Sequence, residues 1–85
     1  GLYGFEKLSF NLFPNPTTGI FTISLKNSSV AIDFVIVTDV LGKTIQSKTI
    51  HNANANIDLS AYAQGVYFVK VKTGVNEKVV KVIRK

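Results

Sequence analysis

Apolar residues in this chain recur at every second position, in short runs that turn signals interrupt after roughly 8–12 residues. From Leu8 to Phe13, Leu8, Phe10 and Leu12 alternate with Ser9 and Asn11; from Ile20 to Lys26, Phe21, Ile23 and Leu25 point one way while Thr22 and Ser24 point the other. A period of two belongs to a strand, and no helix gathers such residues on one face. Val30 to Thr38 is nearly all apolar, which predicts a central strand covered on both faces. Lys43 to Ile50 is its return strand, a short strand follows from Asn56 to Leu59, and Val66 to Thr73 and Glu77 to Arg84 complete the set.

The interruptions are as informative as the runs. Pro14-Asn15-Pro16-Thr17-Thr18-Gly19 stops any regular element, because its prolines fix φ and lack donors, Asn15 is pushed out of the α region, and Gly19 accepts φ > 0. Asp39-Val40-Leu41-Gly42 predicts a hairpin turn with Asp39 at its first position and Gly42 in the left-handed slot after a type I turn. His51 to Asn56 reads as a polar crossing and Gly74-Val75-Asn76 as a turn. Ser60 to Gln64 predicts a single helical turn with Ser60 as N-cap and Gly65 closing it. Gly65-Val66-Tyr67 predicts a tyrosine corner, with the Tyr67 hydroxyl bonded back to nearby backbone. About seven strands without a full helix make an all-β fold. We expect a small antiparallel Greek-key β-sandwich of immunoglobulin or fibronectin type.

Eighty-five residues suffice for one small domain, which buries about 60–65% of its unfolded surface, and exclude a multidomain enzyme. A 46% hydrophobic content argues against disorder, and the absence of Cys removes disulfides and thiolate metal sites. His51, the lone histidine, sits in a polar stretch, and the five acidic residues lack metal-loop or paired-carboxylate spacing. The glycines are isolated and form no nucleotide loop. These patterns predict no catalytic residue, no metal site and no cofactor. No apolar run is long enough to cross a membrane as a helix, so membrane insertion is not expected. A first residue that is Gly rather than Met reads as a piece of a longer parent.

The net charge is +5, from ten Lys and Arg against five Asp and Glu. Up to residue 69, Lys7, Lys26, Lys43 and Lys48 are balanced by Glu6, Asp33, Asp39 and Asp58; the whole excess lies in Lys70, Lys72, Lys78, Lys81, Arg84 and Lys85 against Glu77. A phosphate-tracking stripe with stacking aromatics is a poor fit, since only Phe68 shares a strand face with Lys70 and Lys72, and no nucleic-acid signature accompanies them. Lysines on terminal strands guard an edge against aggregation, or meet a protein partner.

Four segments stand in order: Leu12-Phe13-Pro14-Asn15-Pro16-Thr17-Thr18-Gly19, Thr38-Asp39-Val40-Leu41-Gly42-Lys43, Asp58-Leu59-Ser60 through Gly65-Val66-Tyr67, and Lys78-Val79-Val80-Lys81-Val82-Ile83. Together they resemble the C-terminal sorting domain of the type IX (Por) secretion system, type A, over nearly the whole chain. The resemblance implies a non-catalytic secretion signal of Bacteroidetes-type bacteria. Its cargo, joined N-terminally in the parent chain, reaches the periplasm by a separate Sec signal and crosses the outer membrane through the type IX translocon. A sortase-like peptidase then removes the domain and the cargo is attached to the cell surface. Residues 1–7 would be linker near the cleavage region and 8–85 the sorting domain. Pro14, Asn15, Pro16 and Gly19 match the first motif, Asp39 and Gly42 the second, Gly65 and Tyr67 the third, and Lys78, Lys81 and the strand through Arg84 and Lys85 the last. Asn15, Lys78, Lys81, Arg84 and Lys85 are the candidates for translocon contact; the others are turn and corner formers. The rival expectation is an accessory carbohydrate-binding or adhesive module, which requires a row of exposed aromatics from Tyr3, Phe5 and Tyr62.

Overall fold

A computed structural model describes residues 9–27 and 29–85; the predicted linker 1–7, with Tyr3 and Phe5, and the start of the first run at Leu8 lie outside the described residues. Seven strands follow one another: β1 (Phe10–Phe13), β2 (Ile20–Leu25), β3 (Ile32–Thr38), β4 (Thr44–Asn52), β5 (Asn54–Asp58), β6 (Gly65–Thr73) and β7 (Asn76–Arg84). They form two antiparallel sheets, ordered β1-β2-β5 and β4-β3-β6-β7. This is the expected all-β sandwich, and its arrangement is consistent with the immunoglobulin-like plan.

The alternation explains the core. Phe21, Ile23 and Leu25 of β2 and Ala55 and Ile57 of β5, with Leu59 beyond it, meet Ile32, Val35 and Val37 of β3, Tyr67, Val69 and Val71 of β6, and Val82 of β7. Each such large side chain contributes about 1.5–3 kcal/mol on burial, so every strand that supplies one is needed in a domain this small.

Three expectations are corrected. β3 is not covered on both faces: Ile32, Val35 and Val37 are buried between the sheets, whereas Phe34 and Ile36 are only half-buried on the outer face. Apolarity alone does not say what lies on the second face. The polar crossing at residues 51–56 is mostly strand, because β4 runs to Asn52 and β5 begins at Asn54. His51 occupies a left-handed conformation, φ 63°, where the pairing register shifts, and the chain changes sheets at Ala53. Gln46 and Lys48 of β4 then donate to the Asp58 and Asn56 carbonyls on the β5 edge. Finally, Ser60 does not cap a helical turn. The Tyr62 N–H reaches the Leu59 carbonyl in a tight turn, the Asp58 carboxylate takes the Ser60 N–H, and Gly65 already opens β6. A stronger acceptor two residues upstream replaces the expected cap.

Candidate functional site

Strand direction gathers the first three motifs and the end of the fourth at one end of a domain 42 Å long. The Pro14–Gly19 connection follows β1, the Asp39–Lys43 turn follows β3, the Leu59–Gln64 loop follows β5, and β7 ends beside them through the pairing of Gly65 with Arg84. The tightest contact joins the first motif to the last. Asn15 donates from Nδ2 to the Lys81 carbonyl at 2.9 Å and accepts the Ile83 N–H on Oδ1 at 3.1 Å. The Thr17 N–H donates to the Ile83 carbonyl and the Thr17 carbonyl receives the Lys85 N–H, both at 2.8 Å, making a parallel bridge. The segment thus leaves sheet β1-β2-β5 and covers the outer edge of β7 over Lys81 to Lys85.

Thr17, which the motif comparison passed over, is the pivot. Fully buried, it donates from Oγ1 to the Ile20 carbonyl and accepts the Gly19 N–H, so each of its polar groups is satisfied. The sequence signal was a Thr two residues before Gly, the pattern of a hydroxyl-centred turn. Gly19 is needed beside it for two reasons: its φ is +154°, and a Cβ there would lie 2.5 Å from Ser60 Oγ and 3.3 Å from Ser60 Cα.

Ser60 and Arg84 extend the junction to the third motif. Arg84 donates from Nε to the Leu59 carbonyl and from Nη2 to the Ser60 carbonyl, while Nη1 meets the Lys85 carbonyl. Asp58 is held below the usual carboxylate range by the Ser60 hydroxyl first and the Ser60 N–H second. Arg84 and Lys48 add smaller attractions, and desolvation opposes them. Tyr67 donates from Oη to the Ala63 carbonyl at 2.6 Å, closing a tyrosine corner over the same loop. Asp39 fixes the remaining turn. Its Oδ1 accepts from Leu41 and Lys43, its carbonyl receives the Gly42 N–H, and Gly42 takes φ 83°.

The five contact candidates are therefore not equivalent. Asn15 and Arg84 spend their polar groups inside the domain. Lys78 points to the core side of β7 and lies 5.5 Å from the centre of the Phe10 ring, whereas Lys81 faces outward on the opposite side of the strand. Lys81 and Lys85 are exposed. For an aromatic sugar platform the pieces are scattered: Tyr62 is half-buried and donates to the Ile45 carbonyl, and the exposed rings of Phe13 and Phe68 lie on different sheets.

A family model described as a secretion system C-terminal sorting domain matches residues 11–85, taking in the whole of all four segments. No curated protein matches the chain.

Proposed function

The chain belongs to the family of type IX secretion C-terminal sorting domains, and from that membership we propose that it acts as a non-catalytic label which takes an N-terminally fused cargo through the outer-membrane translocon. The carrying observation is the family match across residues 11–85. The geometry supports a label read as a folded object, because its motifs are held together by bonds between residues 66 and 68 positions apart. In this reading Asn15, Thr17, Gly19 and Arg84 position β7, and Lys81 and Lys85 meet the machinery.

The finer steps belong to the same proposal. Cargo passes through the periplasm to the cell surface or beyond. A sortase-like peptidase cuts upstream of Pro14, with residues 1–7 as linker near that cut, and the cargo is attached to the surface. A reporter carrying a Sec signal and residues 1–85 tests the first step. In a type IX-competent host it is expected outside the outer membrane, and in an isogenic host without the translocon it stays in the periplasm. Periplasmic retention in both would overturn the reading.

A further inference from the structure

The two outer faces of the sandwich differ in chemistry. On sheet β1-β2-β5 the outward strand positions are Asn11, Phe13, Ile20, Thr22, Ser24, Asn54, Asn56 and Asp58; the exposed apolar pair Phe13 and Ile20 stands at one end of an otherwise polar set that contains no cation. On sheet β4-β3-β6-β7 the outward positions of the three strands β3, β6 and β7 are Phe34, Ile36 and Thr38; Val66, Phe68, Lys70 and Lys72; and Glu77, Val79, Lys81 and Ile83. Val79 is 54%, Ile83 39% and Phe68 36% exposed. Among the described residues no segment crosses this face. Its cations are Lys70, Lys72 and Lys81, set against Glu77 alone, and Lys72 lies over the Phe34 ring at 5.7 Å. Neighbouring exposed apolar side chains mark an interaction site, and the cations around them set the charge that its partner must carry.

We infer that this face is the surface by which the domain docks on a protein partner, and that the partner presents an apolar patch bordered by carboxylates. The inference rests on the sorting reading and names the chemistry of what does the reading. Charge chooses the occupant. A second copy would bring Lys70, Lys72 and Lys81 against their own kind, which disfavours self-association. An anionic membrane needs roughly four to eight clustered cations, more than this face carries. A carboxylate-bordered protein surface matches both the lysines and the apolar centre. The size fits a transient encounter: three strands about 4.8 Å apart and about seven residues long make a face of roughly 330 Å², below the standard size of stable protein interfaces. A label must be released after it is read.

The test uses the Sec-signal reporter fused to residues 1–85 in a type IX-competent host. Lys70→Glu/Lys81→Glu is expected to slow export by about tenfold, since two attractive pairs become repulsive. Lys70→Arg/Lys81→Arg, which keeps the charge, exports like the parent. Asn11→Glu/Asn54→Glu places acids on the other face and also exports like the parent. Thermal melting of the purified domains checks that the fold persists. If the reversed pair fails to fold, the neutral Lys70→Gln/Lys81→Gln replaces it, with a smaller but measurable slowing expected. Normal export of the folded reversed pair, or of the neutral pair where it stands in, overturns the docking face while leaving the sorting reading intact; failure of the parent fusion itself overturns the sorting reading. In parallel, the purified domain is sedimented with vesicles of phosphatidylcholine and phosphatidylserine. Co-sedimentation that the charge reversal abolishes would assign the face to lipid and contradict a protein partner.

Discussion

At the scale of single residues, Asn15 does what a pair of backbone groups does in a sheet: it offers one acceptor and one donor to the edge of β7. Asn15→Asp removes the donor and sets a carboxylate against the Lys81 carbonyl, so at this exposed edge it costs about 0.5–1.5 kcal/mol in urea unfolding. Asn15→Ala loses both bonds at similar cost. Equal stability of either variant and the parent would show that the clamp is not formed. Gly19→Ala is expected to cost about 1–3 kcal/mol, because the backbone conformation disfavours a side chain and Ser60 occupies its space. The Asp58 carboxyl gives a pH signature. Its depressed value means that its bonds to Ser60 stabilise the fold above the unfolded-state pKa, and that this contribution is lost as pH falls through the folded-state value. Ser60→Ala removes the larger cause, so the Asp58 midpoint followed by carboxyl carbon shifts in NMR moves upward. An unmoved midpoint contradicts the assignment.

At the scale of elements, β7 is both wall and label. Val82 is fully buried in the core, while Ile83 and Lys85 complete the bridge to Thr17. Deleting residues 82–85 therefore removes a core side chain and uncovers the Asn15 turn. The truncated chain is expected to lose its cooperative thermal transition, and a normal transition would show that the strand end is dispensable for folding. Lys81→Glu changes the label without the wall and keeps the parent melting temperature.

Alternation made most strands legible, because a period of two appears wherever one face is buried. Phe21-Thr22-Ile23 and Val69-Lys70-Val71 show it plainly. It misjudged β3, since Phe34 and Ile36 are apolar without being covered by another sheet. Asn52 and Asn54 read as loop residues, yet pairing with Ile32 and Ser24 makes them strand. The site was legible as four motifs and not as one place. Asn15 and Thr17 meet residues 66 to 68 positions away, and only the folded topology brings such positions together.

At the scale of the whole molecule, the sequence charge sorts onto structure unevenly. The excess at residues 70–85 is not one patch: Lys78 turns toward Phe10, Arg84 binds the Leu59–Ser60 loop, and Lys70, Lys72 and Lys81 share the outer sheet face. One end of the domain holds its motifs together, and one face is left to meet a partner. The most direct measurement of the central claim is the protease sensitivity of the reporter–1–85 fusion in intact cells of paired hosts, with and without the type IX translocon. Added protease is predicted to digest the reporter only where the translocon is present; protection of the reporter in both hosts would contradict the account.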